Sequence, residues 1–126
     1  MTEWNYNKAD VEAKMIVDSS TGSKRADAGK LRYDLIPPRV IEDLTKVLTG
    51  GAQKYGDHNW SKNGGMRWTR CYSSMMRHIQ AWYGGEDTDP ESGLSHLAHA
   101  MCNLSFLMEY ERINQDGDDR PFKRKS

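Results

Sequence analysis

Several common features are scarce or missing in this sequence of 126 residues. Its two cysteines, Cys71 and Cys102, are too few for a disulfide framework, and each lies in an apolar helical pattern that predicts a small buried residue. Basic and acidic residues balance at 18 each, which excludes an overall basic field for bulk nucleic acid. No apolar run is long enough to span a membrane, and the polar, aromatic start does not resemble a signal peptide. We therefore expect a domain of the reducing cytoplasm.

Apolar periodicity predicts three main helices. The first begins near Pro38, because proline suits the first helical turn, and the glycine pair at 50–51 either ends it or permits close packing within it. The second helix spans about 68–83, and the third runs from Ser92 or Ser95 to about residue 114. The apolar stripe of the first helix consists of Val40, Ile41, Leu44, Val47 and Leu48.

The third predicted helix is apolar almost all round, which is typical of a helix buried on several sides. In a chain with three clear helices, self-association is the simplest way to bury it. The expected fold is therefore all-α: a compact bundle of three main helices with an irregular N-terminal arm, completed by homo-oligomerisation. The expected organisation is an arm at 1–23, a helical domain at 24–114 and a polar tail at 115–126.

Ionisable side chains concentrate between the second and third helices. His96 and His99 share a helix face at i,i+3 spacing, Asn103 lies one turn further along, and His78 lies near the end of the preceding helix. The short connection makes the two helices antiparallel neighbours. We expect one pocket to contain His78, Asp87, Asp89, His96 and His99. The intervening loop carries four carboxylates: Glu86, Asp87, Asp89 and Glu91.

Each histidine alone has a simpler interpretation. His78 near a helix C-terminus is stabilised there by the helix dipole, and His96 or His99 alone is typical of a core histidine with satisfied polar atoms. Because the pair occurs together with Asn103 and His78, the pattern favours a ligand site.

A short basic loop precedes the first helix. Gly29 permits a tight turn, and Lys30 and Arg32 flank it, an arrangement that suits phosphate oxygens. The loop is not a P-loop, because the required glycine spacing and the Lys-Ser/Thr pair are absent. The alternative is a solvated surface loop.

The segment at 29–38, GKLRYDLIPP, resembles the opening of the phage-type dATP/dGTP diphosphohydrolase domain of the N-terminal type. The resemblance covers roughly residues 24–111 and implies an all-α domain allied to MazG-like nucleotide pyrophosphohydrolases, which work as oligomers. Further matching motifs are KYG at 54–56 with NW at 59–60, RH at 77–78, GED at 85–87, DPESG at 89–93 and HLAHA at 96–100 with Asn103.

One departure from the MazG-like pattern concerns the metal ligands. Those enzymes hold magnesium with carboxylates in an E-x-x-E and an E-x-x-D pair, whereas His96 and His99 occupy the second spacing here, and only Glu42-Asp43 lies near the first helix. Magnesium prefers oxygen ligands, and histidine suits manganese, iron or zinc better. Either the domain uses another metal geometry, or catalysis belongs to a separate domain and this chain only binds nucleotide.

The enzyme hypothesis assigns a role to each candidate residue. The domain would hydrolyse purine (deoxy)nucleoside triphosphates to monophosphate and pyrophosphate with a divalent metal, Mg or Mn. The catalytic residues would be His78, Asp87 and Asp89, and the metal ligands His96 and His99. The substrate-binding residues would be Lys30, Arg32, Lys54, Tyr55, Asn59, Trp60, Arg77 and Asn103, which supply positive charge, aromatic stacking and hydrogen bonds.

The alternative hypothesis is a non-catalytic phage protein that sequesters a host signalling nucleotide. His96 and His99 would then donate hydrogen bonds and ligate no metal. In either case the expected partners are a nucleotide and further copies of the chain, and the expected location is the host cytoplasm if the chain is phage-encoded. Metal dependence of turnover distinguishes the two hypotheses.

Overall fold

A computed structural model describes residues 16–17, 22, 24–25 and 29–124 of the chain. It divides the chain into two units, residues 1–36 and residues 37–126. Most of the predicted arm at 1–23 lies outside the described residues. The organisation predicted from the sequence places its boundaries elsewhere, at 24 and 115, and stays a prediction.

The first unit contains a pair of very short strands and one helical turn. Strand β1 (Ile16–Val17) pairs antiparallel with β2 (Lys24–Arg25), so that Ile16 lies opposite Arg25. Gly29 has a φ of 82°, which glycine adopts without strain, and a 3₁₀ turn follows at Tyr33–Leu35. The predicted tight turn at the basic loop is therefore present.

The second unit contains the three predicted helices: α1 (Pro38–Tyr55), α2 (Trp68–Tyr83) and α3 (His96–Ile113). The all-α prediction is confirmed, and the predicted bounds of α2 agree with the structure. Helix α1 continues through Gly50 and Gly51, and a methyl group at either would meet no atom of the described residues within 4 Å. The glycine pair therefore neither ends the helix nor serves close packing within this part of the chain. Gly56, with φ 95°, ends α1.

The ends of α2 and α3 are held by identifiable hydrogen bonds. Ser95 is the N-cap of α3, because its hydroxyl accepts from the backbone N–H of Leu97 at 3.1 Å. The carboxylate of Asp119 accepts from the backbone N–H and the hydroxyl of Thr69, at 2.9 and 2.6 Å, in the first turn of α2. The polar segment after α3 thus contributes to the fold by binding the start of α2.

Helices α2 and α3 are antiparallel. Ser74 contacts Asn103, and nearer the start of α2 the indole Nε1 of Trp68 donates to the carbonyl of Asn114 at 2.9 Å. Residues earlier in α2 thus contact residues later in α3, which is the antiparallel arrangement that the short connection predicts. Helix α3 also packs against α1.

The core lies where α2, α3 and the connection before α2 meet. Its buried members are Trp68, Cys71 and Tyr110. The Tyr110 hydroxyl accepts from the backbone N–H of Met66 at 3.2 Å and donates to the carbonyl of Trp60. A side chain at Gly65 would approach the Tyr110 ring to 2.7 Å, so this position requires glycine. This core secures the end of the hairpin that is remote from its loop.

The prediction that both cysteines are buried is confirmed, whereas the predicted self-association of α3 stays a prediction. Cys71 and Cys102 are buried free thiols, and burial raises the pKa of Cys102 to about 11. On α3, Leu104 and Met108 are 48% and 61% exposed, which leaves part of its apolar surface uncovered within this chain. Among the residues that the structure describes, no helix is both long and apolar enough to cross a membrane.

Candidate functional site

Three histidine rings meet where α2 ends and α3 begins. The rings of His78 and His99 are stacked, with centroids 4.6 Å apart and planes inclined by 8°. His78 Nδ1 lies 2.9 Å from His96 Nδ1, a hydrogen bond in which one ring donates and the other accepts. The antiparallel hairpin explains this meeting, because one turn of α3 presents His96 and His99 to the last turns of α2.

The loop between the helices is folded back by its own backbone hydrogen bonds. The N–H of Asp89 donates to the carbonyl of Leu94 at 2.8 Å, and the N–H of His96 donates to the carbonyl of Asp87 at 3.0 Å. Gly85 has a φ of 101°, a backbone conformation that favours glycine. The loop is therefore a defined structure that can position its side chains.

Two carboxylates of this loop contact the histidines. Glu86 Oε1 lies 2.6 Å from His96 Nε2, and Asp89 Oδ2 lies 3.5 Å from His99 Nε2. His99 Nε2 also lies 2.6 Å from the hydroxyl of Ser92. The loop thus places two carboxylates and one hydroxyl against the imidazoles of His96 and His99.

His78, Asp89 and His99 form a candidate metal group. One potential ligand atom from each lies within 4.8 Å of the others, and all three residues are partly buried. Two ligands on one metal at about 2.1 Å are at most about 4.2 Å apart, so small side-chain rotations suffice to bring the three atoms onto one ion. This group therefore fits a divalent metal.

Burial favours the neutral form of the two stacked imidazoles. Desolvation lowers the pKa of His78, and the neighbouring His99 lowers it further. Desolvation also lowers the pKa of His99, and the nearby carboxylate of Asp89 offsets part of this effect. A neutral imidazole offers a lone pair, which is the form that binds a metal.

Four of the five residues predicted for the pocket lie together, and Glu86 contacts the histidines in place of the fifth, Asp87. The structure brings His78, Asp89, His96 and His99 together, but the side chain of Asp87 forms no hydrogen bond or ion pair with the rest of the described chain. Glu86 takes the position expected for Asp87. Sequence spacing gave no reason to choose between these two neighbours, because the choice depends on how the chain turns after Gly85.

His96, predicted as a metal ligand, is not a member of the three-residue metal group. Both of its ring nitrogens have protein partners, His78 and Glu86, and its side chain is 6% exposed. His78 and Asp89, predicted as catalytic, are members together with His99. Ser92 was not predicted as a site residue, although its spacing of seven from His99 is compatible with a contact across the first turn of α3.

The predicted substrate-binding residues near the cluster are Lys54, Arg77 and Asn103. Lys54 Nζ lies 3.2 Å from Glu91 Oε1, which connects the end of α1 to the loop. The side-chain amide of Asn103 donates to the hydroxyl of Ser74 and to the carbonyl of His99, at 3.1 and 3.0 Å, so it supports the helix pair. Arg77 is exposed and precedes His78 in sequence.

The remaining predicted substrate-binding residues lie elsewhere. Trp60 is stacked on Phe106, with centroids 5.6 Å apart, and packs against the core, so its predicted contact with a base stays a prediction. Phe106 lies seven residues after His99, or about 10 Å along a helix axis. Tyr55 is 58% exposed, and Asn59 is also exposed at the start of a 3₁₀ turn.

Lys30 and Arg32 belong to the first unit. Both are exposed, and the guanidinium of Arg32 forms an ion pair with Asp34 at 2.7 Å. A phosphate at Arg32 would therefore have to compete with Asp34.

An open concavity of about 510 Å³ lies along the C-terminal segment, away from the histidines. Both Arg120 and Lys123 on its lining form ion pairs with Asp118, at 2.8 and 3.0 Å. Because one carboxylate already neutralises much of their charge, this concavity is a weaker candidate for an anionic ligand than the histidine cluster.

The fold and the cluster define a class: an all-α domain whose central helical hairpin carries a candidate metal site of two histidines and one carboxylate. Residues 20–120 match the family described as dATP/dGTP diphosphohydrolase, N-terminal. The chain belongs to this family, which confirms the resemblance drawn from its motifs.

A curated relative gives the comparison more detail. The dATP/dGTP diphosphohydrolase of Salmonella phage PMBT28 is 37% identical over 94 residues, which cover 75% of this chain and 31% of the relative. The chain thus spans about a third of the length of the relative it matches. No solved structure matches the chain.

Proposed function

We propose that this domain binds a purine deoxynucleoside triphosphate at the histidine cluster and hydrolyses it to a nucleoside monophosphate and pyrophosphate. The observation that carries the proposal is the partly buried group of His78, Asp89 and His99, contributed by two helices and the loop that joins them. A group of this kind suits phosphoryl chemistry. The name of the phage relative supplies the substrate class, and that class is part of the proposal because the chain spans 31% of that protein.

Positive side chains at the rim of the cluster would bind the phosphates. Lys54 already reaches the loop, where Glu91 holds it at 3.2 Å, and a phosphate could replace this exposed carboxylate. Arg77, exposed on α2, would bind the phosphates in the same way. Tyr55, exposed next to Lys54, offers a face for the base. These residues would orient the triphosphate toward the histidines.

The two stacked histidines and Asp89 would hold a divalent metal. Such a metal, when bound, lowers the pKa of a water ligand and polarises a phosphoryl oxygen. Asp89 Oδ2 lies 3.5 Å from His99 Nε2, and the packing of α2 on α3 fixes His78. The loop backbone keeps Asp89 in place through its hydrogen bond to Leu94.

A second candidate is nucleotide binding without hydrolysis. The specific observation in its favour is coverage: about two thirds of the phage relative lies outside the match, and the named activity could reside there. In that case the cluster would recognise the phosphates through hydrogen bonds, and turnover would need another domain.

The experiment is a turnover assay on the purified chain with dATP, dGTP, dCTP and dTTP, each with Mg²⁺, Mn²⁺, Co²⁺ or Zn²⁺. Chromatography of nucleotides and a pyrophosphate assay measure the products. We expect purine monophosphate and pyrophosphate from the wild type, loss of both in Asp89→Asn, and normal turnover in Glu109→Gln, a matched change at an exposed position of α3.

Calorimetry on the same samples separates the two candidates. Binding of a purine nucleotide without turnover under any metal would reject hydrolysis and support the second candidate. Neither binding nor turnover would reject both.

A further inference from the structure

Glu86, His96 and His78 form a chain of hydrogen bonds that leads from the surface to the candidate metal group. Glu86 Oε1 lies 2.6 Å from His96 Nε2, and His96 Nδ1 lies 2.9 Å from His78 Nδ1. The side chain of Glu86 is 54% exposed and that of His96 is 6% exposed. The series of hydrogen bonds therefore begins at an exposed carboxylate and reaches the interior through the buried imidazole of His96.

The proton positions in this chain follow from the chemistry of its members. A carboxylate only accepts hydrogen bonds, so the His96 Nε2–H must donate to Glu86. In a neutral His96 the other nitrogen, Nδ1, then carries a lone pair and accepts from the Nδ1–H of His78. His78 is thereby held in the tautomer whose Nε2 carries the lone pair.

The opposite arrangement would disable His78 as a ligand. If His96 donated from both nitrogens, His78 Nδ1 would have to accept, and its Nε2 would carry the proton. Glu86 therefore determines, through two hydrogen bonds, whether His78 Nε2 can bind a metal. Glu86 does not itself belong to the metal group. Partners of this kind, which hydrogen-bond to ligating histidines, fix the ring orientation and the tautomer in metal sites.

The ligand set is unsuitable for magnesium. Mg²⁺ takes oxygen ligands and keeps several waters, whereas this group offers two imidazole nitrogens and one carboxylate oxygen. Two histidines with one carboxylate and an open position are typical of catalytic zinc and of other borderline divalent metals.

We propose that His78, Asp89 and His99 bind a borderline transition metal of the zinc, cobalt and manganese class in preference to magnesium, and that Glu86 and His96 are positioning residues that set the tautomer of His78. The inference deepens the proposed function at the same site. Metal binding is measured without nucleotide, so its outcome is independent of hydrolysis.

The first experiment titrates chelator-treated protein with Co²⁺ and follows the visible absorption of the bound ion. We expect saturation at one Co²⁺ per chain, displacement by equimolar Zn²⁺ and no displacement by millimolar Mg²⁺. Asp89→Asn should lose the signal. The same signal in Asp89→Asn, the absence of a cobalt spectrum in the wild type, or displacement by Mg²⁺ as effective as that by Zn²⁺ would each overturn the proposal.

The second experiment tests the positioning residues through Glu86→Gln, with Glu109→Gln as the matched control. Glu86 is exposed, so the change preserves the fold, and circular dichroism checks this. We expect about 10- to 100-fold weaker Co²⁺ binding in Glu86→Gln. Nitrogen-15 NMR of the histidine rings should show the Nδ1–H tautomer of His78 in the wild type and in Glu109→Gln, and a shifted tautomer balance in Glu86→Gln.

A merely structural role for Glu86 would leave the tautomer unchanged. Equal Co²⁺ affinity and an unchanged His78 tautomer in Glu86→Gln and Glu109→Gln would reject the positioning role. Cobalt binding without nucleotide hydrolysis would support this inference and reject catalysis by the domain. Hydrolysis with magnesium in the absence of cobalt binding would reject this inference and support catalysis by the domain.

Discussion

Replacing Tyr110 with phenylalanine should destabilise the domain by removing one buried hydroxyl. Tyr110 is fully buried, and its hydroxyl joins the backbone N–H of Met66 and the carbonyl of Trp60 to α3. Phenylalanine keeps the ring but leaves both backbone groups without this partner. Each unsatisfied buried group costs about 1–3 kcal/mol, and since Met66 and Trp60 are only partly buried, we expect a total of about 2–4 kcal/mol.

The assay is urea unfolding followed by circular dichroism, with Tyr72→Phe as the control. Tyr72 lies on α2 and is 54% exposed, so loss of its hydroxyl should change the free energy of unfolding by less than about 0.5 kcal/mol. Tyr110→Phe should lower the midpoint and leave the slope unchanged, because the surface exposed on unfolding is the same. Equal midpoints for the two variants would refute the reasoning, since water would then be satisfying both backbone groups.

Three further predictions concern assembly, phosphate binding and pH. Light scattering should give a mass above 14.4 kDa, and Leu104→Lys on the exposed face of α3 should lower it; a wild-type monomer would contradict the interface. If the basic loop binds phosphate, changing Lys30 and Arg32 together to alanine should weaken nucleotide binding measured by calorimetry; unchanged affinity would exclude both residues from nucleotide binding. Burial lowers the pKa of His78 and His99 from 6.5, so the unfolded chain binds more protons below 6.5, and the unfolding free energy should fall as pH drops through that value. Constant stability between about pH 7 and pH 5 in urea unfolding would contradict this last prediction.

Much of the fold could be predicted because it depends on local sequence. The spacing of apolar residues gave the bounds of α2, and Ser95 was a recognisable N-cap. The meeting of His78 with His96 and His99 followed from helix periodicity and a short connection.

The features that the sequence did not reveal depend on side-chain direction in irregular backbone and on contacts between distant residues. Whether Glu86 or Asp87 faces the histidines is decided by dihedral angles after Gly85, which composition does not reveal. Trp60 was assigned to a ligand, but its stacking on Phe106 depends on a contact across many residues. The hydrogen bond between Asp119 and Thr69 likewise joins residues 50 positions apart, and periodicity cannot detect such a contact.

The residues of the histidine cluster lie close together in the sequence. Its hydrogen bonds join residues 18, 10 and 7 positions apart, whereas those of Tyr110 span 44 and 50. Loop-closure entropy costs about 0.6 kcal/mol more for each doubling of loop length, so the cluster closes at a lower entropic cost than the core. A circularly permuted chain opened between α1 and α2 would keep the whole segment at 78–99 continuous, so we expect the histidine cluster to form in it unchanged.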